Sequence, residues 1–184
     1  MMVLRKMVLA LVLPAVIGHA AAQDTTVRFD ATPDDTTCTT VVSTNNGATG
    51  PDGVLTLRRV PASALRRNGD RAGRTNWQMV VGQATRPCMA PRVQVGFVAG
   101  ANVNAAGRLI NRGGARNVDI VVGNAELGSG NPDIDLRGNS GSQVVDIPPS
   151  THWARLTYFA EYYATGPAGG GTVTTDVQYQ LIYH

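Results

Sequence analysis

Between residues 173 and 183 the chain reads VTTDVQYQLIY, so that Val173, Val177, Tyr179, Leu181 and Tyr183 fall on alternate positions. A period of two marks a strand with one buried face. This strand carries no Pro, no Lys and a single carboxylate, Asp176. The outer strand of a sheet shows a row of unpaired N–H and C=O groups, and an apolar, unguarded one pairs with any strand that reaches it. The fold must either bury this strand centrally or offer its edge to another polypeptide.

The rest of the chain sets the context for that choice. Arg5 and Lys6 precede an apolar run, MVLALVLPAVI, that ends in small residues, GHAAA. The run is too short to cross a bilayer as a helix, and the Ala20-x-Ala22 pattern predicts a secretory signal peptide over 1–22 with the cut before Gln23. Residues 23–184 are then one domain, large enough to bury a core. Without Arg5 and Lys6, fourteen arginines face thirteen carboxylates and the formal charge of +3 falls to +1. Such a balance gives no reason to expect a nucleic-acid partner. Two cysteines, Cys38 and Cys88, are predicted to pair in an oxidising compartment; closing a loop of that length stabilises a fold by roughly 4 kcal/mol.

Helical periodicity is almost absent after the leader. Short runs of period two recur between Gly, Asn, Pro and Asp clusters: Val27, Phe29 and Ala31; GVLTL; Trp77, Met79 and Val81; VQVGF; NVDIVV; DIDL; ARLTYFAEYYA; and the closing strand. Seven to nine such strands fit one β-sandwich. A single helical turn is predicted at PASALRRNG, with Pro61 at its start and Gly69 as a left-handed stop.

Catalytic constellations are hard to assemble from these residues. His152 and His184 remain after processing, and neither has the neighbours of a nucleophile and base. GPAGGGT cannot cradle a phosphate in the P-loop manner without a lysine, and it reads as a flexible turn. DIDLRG sets Asp133, Asp135 and Gly138 in the order of a calcium loop, but Arg137 stands where an oxygen ligand belongs. No metal, cofactor or enzymatic activity is expected. Arg58, Arg59, Arg66, Arg67, Arg71 and Arg74 crowd one region without interleaved aromatics; they read as a solvated connection or as a contact for an acidic partner or polyanionic glycan.

Four segments, in order around the two cysteines, resemble the pilin domain of the chaperone-usher (type 1 fimbrial) family. They are TVRFDATPDDTTC; LRRVPASALRRNGDRAGRTNWQMVVGQATRPC, with Trp77 where the family has Phe; NVDIVVGNAELGSGNPDIDL; and YFAEYYATGPAGGGTVTTDVQYQLIY. The resemblance implies an incomplete immunoglobulin-like β-sandwich lacking its last strand, with a hydrophobic groove beside the closing one. Another polypeptide would complete it: first a periplasmic chaperone, then, at an outer-membrane usher, the N-terminal extension of a neighbouring subunit. Carried over by position, the family's penultimate aromatic falls on Tyr183 and its glycine fourteenth from the end on Gly171. Val173, Val177, Tyr179 and Leu181 would form the face against which the incoming strand closes.

Two alignments of the N-terminus remain open. If Val27 to Cys38 is the family's first strand, only QDTT precedes it, and the subunit accepts a strand without donating one, as a tip or minor pilin at the end of a fibre. If instead TTVRFDATPD is a donor with Val27, Phe29 and Ala31 as its teeth, the first strand starts near Cys38. Pro33 and the cysteine position favour the first alignment. The expected function is that of a structural, minor or tip subunit of a surface fimbrium, exported through the periplasm and contributing to adhesion, with a surface receptor as a further partner. The alternative is a secreted sandwich adhesin that binds glycans through Trp153 and the tyrosines. A lysine-cross-linked, sortase-type pilin is excluded by the absence of lysine after Lys6.

Overall fold

The computed structural model describes residues 25–32, 38–48, 50–125 and 133–184. The leader assigned to 1–22 lies outside these residues. Eleven strands are described: β1 (Thr25–Ala31), β2 (Thr40–Thr44), β3 (Gly47–Ala48), β4 (Gly53–Leu57), β5 (Arg71–Val81), β6 (Arg92–Val98), β7 (Leu109–Ile110), β8 (Val118–Asn124), β9 (Val144–Asp146), β10 (Ala154–Ala164) and β11 (Thr174–Tyr183). They form two sheets, ordered β4-β1-β11-β6-β9 and β3-β2-β5-β10-β8-β7. Among the described residues the one helical element is a 3-10 turn over Ala62–Ala64, preceded by Pro61 and followed by Gly69 at a φ of 94°.

Strand periodicity explains most of these assignments. Along β10, Leu156, Tyr158, Ala160, Tyr162 and Ala164 point into the sandwich and are fully buried or nearly so. Trp77 on β5 lies between Phe29 and Tyr158, stacked at centroid distances of 4.0 and 4.8 Å, and Phe97 on β6 meets Tyr158 edge-on at 5.9 Å. Offset and edge-to-face contacts of this kind add to the burial of large rings. The aromatic row therefore ties the two sheets together through β1, β5, β10 and β6.

Several sequence expectations are refined. DIDL is not a strand; it makes isolated bridges, Gly123 with Asp133 and Asp135 with Ser140, while Ile134 and Leu136 fill the core. Its carboxylates are engaged by arginines. Arg71 holds Asp133 through both terminal nitrogens, at 3.1 and 2.9 Å, and also reaches Glu161. Asp135 is bonded by Arg137, which lowers its pKa to about 2. The arginine-rich region is thus divided, because Arg71 is committed to this network and Arg74 lies 3.7 Å over the buried Phe159 ring. Arg66 and Arg67 remain solvent-facing.

Cys38 and Cys88 form the expected disulfide, 50 residues apart in sequence, with Cα atoms 4.9 Å apart. It joins the segment entering β2 to the segment leaving β5, two strands already paired from Thr40 with Val81 to Ser43 with Gln78. Replacing both cysteines by alanine is expected to lower the unfolding free energy by about 4 kcal/mol, through loss of the loop constraint on the unfolded chain. Urea denaturation of the two proteins measures the difference.

Candidate strand-binding groove

The expected edge on β11 exists, but a strand of the same chain lies against part of it. β1 sits between β11 and β4, parallel to β11 and antiparallel to β4. Its register sets Val27 beside Thr175, Phe29 beside Val177 and Ala31 beside Tyr179. Backbone bonds from Thr26 N to Val173 O, 3.1 Å, and from Thr32 N to Tyr179 O, 2.8 Å, mark the two ends of this ladder. Beyond Tyr179 the described β1 ladder ends, while β11 continues paired with β6 as far as Tyr183. An open cleft of about 500 Å³ lies there, lined among others by Ala31, Cys38, Pro51, Tyr179 and Leu181.

The geometry follows the second alignment of the N-terminus. Val27, Phe29 and Ala31 do not occupy the position of a first strand beside β5; β2, which starts two residues after Cys38, does. Alternation alone located a strand at 25–31 but could not choose its neighbours. The preference for the first alignment, drawn from Pro33 and the cysteine position, concerned residues of which 33–37 lie outside those described.

Val173, Val177 and Tyr179 are buried and face the sandwich interior, as the period of two requires. Leu181 and Tyr183 continue that row, half-buried against the same core. Gly171 lies apart from the row, in the turn that feeds β11. Its φ is 146°, and a Cβ there would stand 2.6 Å from Ala115 N and 2.7 Å from Gly114 C. Gly171 therefore permits a close backbone approach that positions the start of β11, and contributes no face to the groove.

The apolar pattern concealed one groove residue. Thr175 occupies the inward position between Val173 and Val177, is 2% exposed, and its Oγ1 has no hydrogen-bond partner among the described residues. Val27 stands opposite and offers none. By contrast Thr25, also buried, accepts a 2.6 Å bond from the Tyr162 hydroxyl. Burial raises the Tyr162, Tyr158 and Tyr179 phenols above the usual tyrosine range. The tyrosines on which a glycan site would depend are thus largely committed elsewhere: Tyr158, Tyr162 and Tyr179 to the core, and Tyr163 to a stack under Arg108 at 4.1 Å. Trp153 remains half-exposed beside Arg155. His184 Nε2 lies 3.2 Å from Gln94 Oε1.

Two outcomes follow from these polar groups. Thr175→Val keeps the shape and removes a buried hydroxyl without a partner, so it is expected to stabilise the monomer by about 1 kcal/mol; equilibrium unfolding reads the change. The raised phenol pKa values mean that the folded state holds protons the unfolded chain releases above about pH 10. Stability is therefore expected to be complete below that pH and to fall as pH rises through the folded-state values, as thermal unfolding across alkaline buffers would show.

No family model matches the chain. The chain is 34% identical over 175 residues to the major fimbrial subunit SMF-1 of Stenotrophomonas maltophilia, covering 90% of this chain and 95% of that protein. It is 29% identical over 182 residues to a fimbrial protein of Escherichia coli, covering 96% of each. Among solved structures it is similar to a tip adhesin of Pseudomonas aeruginosa, with a TM-score of 0.41, 15% identity and coverage of 64% of this chain and 36% of the other. An antigen and type I fimbria protein of Burkholderia pseudomallei gives a TM-score of 0.40 at 16% identity, over 82% and 90% of the two chains.

Proposed function

The chain belongs to the chaperone-usher (type 1 fimbrial) pilin family, and from that premise we propose that it is a structural subunit of a cell-surface fimbrium whose β1 is an exchangeable donor strand. The observation that carries this reading is β1 itself: a strand with Val27 and Phe29 fully buried, held in a slot between β11 and β4 and bonded to both. A strand held in this way can leave its slot, and an identical strand from a second copy can take it with the same side chains. A periplasmic chaperone would hold the groove before exchange, with an outer-membrane usher as the site of assembly.

Fibre geometry selects the direction of the incoming strand. Inserted parallel to β11, as β1 is within one chain, a second copy's strand would bring that copy's body to the Cys38 end of the acceptor. The two Cys38 ends would then face each other, and reciprocal exchange would close the pair. Inserted antiparallel, it brings the body to the opposite end, and each junction leaves another open to continue the chain. The backbone groups of β11 and β4 bond a strand running either way.

Reversal about the Phe29–Val177 pair keeps Phe29 in its place, sets Ala31 beside Thr175 and Val27 beside Tyr179, and carries Thr25 to Leu181. Pairing then extends over the part of β11 that β1 leaves uncovered. This supports a polymerising subunit over a terminal one, since the chain has both a groove and a strand to fill one. Its action is a folding step completed between molecules, with no catalysis.

Mixing a copy carrying Ala31→Cys with a copy carrying Thr175→Cys tests the reading. The expected result is a disulfide between copies in assembled material. Phe29→Ala, which removes the deepest side chain and costs a core about 3–5 kcal/mol, is expected to abolish the ladder of assembled species on gels. Assembly in which Ala31→Cys instead bonds only Tyr179→Cys would reject the reversed register.

A further inference from the structure

One end of the sandwich is closed by two loops, 82–91 between β5 and β6 and 147–153 between β9 and β10. They are bonded to each other: Cys88 N donates to His152 O at 2.9 Å, and Ile147 N donates to Pro91 O at 2.8 Å. The first loop turns back on itself through paired backbone bonds between Gln83 and Arg86, 3.0 Å each, and its Cys88 is joined to Cys38. The surface these loops form is therefore fixed before any partner arrives.

That surface is apolar. Val54, Met89, Val144 and Trp153 are the exposed large hydrophobic residues among those described, and Met89 and Trp153 each stand one residue from the Cys88–His152 bond. Met89 is 74% exposed and Trp153 36%. Pro87, Pro91, Pro148 and Pro149 are exposed on the same two loops.

Three arginines surround the patch. Arg86 is exposed and its side chain has no partner among the described residues; Arg92 is exposed at the start of β6 and makes no ion pair with Asp146, the residue across from it on β9. Arg155 lies 5.8 Å from the Trp153 ring. Arg92 precedes the buried Val93, and Arg155 stands between the buried Ala154 and Leu156, so the two point off the outer faces of different sheets and place cations on both rims of this end. Arg58, Arg66, Arg67 and Arg116 at the Gly171 end are also exposed, but among the described residues the loops that carry them bear no exposed large apolar side chain.

The combination selects the partner. A sulfated glycan would engage the arginines but gain little from Met89, the most exposed of these apolar side chains. An anionic bilayer uses both features, because tryptophan is favoured at the headgroup level and interfacial binding grows with buried apolar area and with the attraction of basic side chains to anionic lipid. We propose that this end of the sandwich docks on an anionic phospholipid surface, with Met89 and Trp153 at the headgroup level and Arg86, Arg92 and Arg155 on the phosphates around them. The proposal stands on this patch and is independent of strand exchange.

Co-sedimentation of the exported protein with vesicles of phosphatidylcholine, with and without phosphatidylglycerol, tests it. Tryptophan emission gives a second reading, since Trp77 is buried in the core and Trp153 is the one that lipid can reach. The expected result is binding that requires phosphatidylglycerol, weakens in high salt and shifts the emission to the blue. Arg86→Gln and Arg92→Gln are each expected to weaken it about fivefold, and Met89→Ser to weaken it while keeping Trp153 as the reporter. These exposed side chains support no packing, so melting temperatures should be unchanged. Arg66→Gln with Arg67→Gln, at the other end, should leave binding unaltered. No binding to phosphatidylglycerol vesicles, binding without an emission shift, or an equal loss in the Arg66 and Arg67 variant would overturn the proposal. Heparin binding that Arg86→Gln and Arg92→Gln abolish, in a protein that ignores the vesicles, would overturn it in favour of a sulfated glycan. Lipid-free self-association that Met89→Ser abolishes, again with vesicles ignored, would overturn it in favour of a second copy of the chain.

Discussion

Phe29 stacked on Trp77 is the contact on which the rest of the sandwich depends. It is the point where β1 enters the aromatic row that continues through Tyr158 to Phe97 and so joins both sheets. Burying a side chain such as Val27 or Phe29 contributes roughly 1.5–3 kcal/mol, and β1 adds a ladder of backbone bonds on either side. Without β1, one face of Trp77, Val177 and Leu55 would lose their cover, and two strand edges would stand open inside a single sheet. The core is therefore complete only when that slot is filled, but nothing in its chemistry requires the filling strand to be continuous with the chain around it.

The direction of β1 makes the same point. A strand that followed β11 through a short hairpin would run antiparallel to it, whereas β1 runs parallel. The slot accepts β1 from the far end of the sequence, in an orientation that leaves Thr175 Oγ1 without a hydrogen-bond partner among the described residues and ends the β1 ladder at Tyr179. In the exchange proposed above, one copy's strand replaces another's like for like, so the side-chain contributions nearly cancel between states. What can favour assembly is the remainder: the longer pairing along β11, the smaller residue beside Thr175, and the junction between bodies. These are modest terms, consistent with a process that must proceed without first exposing a stable unfolded core.

The legible and illegible parts of this fold divide along a physical line. GVLTL and ARLTYFAEYYA could be bounded from sequence because alternation and flanking turns are local properties, and the structure returns them as β4 and β10 with matching limits. β2 was missed because Val42 alone is buried in it. The burial of Ile134 and Leu136 was suggested by alternation, yet their segment is held by isolated bridges and arginines, which a period of two cannot distinguish from a strand. The neighbours of β1 were harder still, since pairing is decided across the molecule. The role of Arg71 was hidden for the same reason: Asp133 and Glu161 lie 62 and 90 residues away. Thr175 was overlooked because a threonine inside an apolar alternation looks like a break in the pattern when it is a member of the same face.

Gly171 sets the start of β11 from outside the row of inward-facing side chains. Any Cβ at this position would press on the backbone of Gly114 and Ala115, forcing 111–117 away from 165–172. That separation would shift the start of β11, where Thr26 N meets Val173 O, and would also spread the loops that hold Arg116 near Arg66 and Arg67. A single close backbone approach thus fixes both the mouth of the slot and the charged surface around it. The glycine that the family pattern marks acts through backbone packing between 111–117 and 165–172.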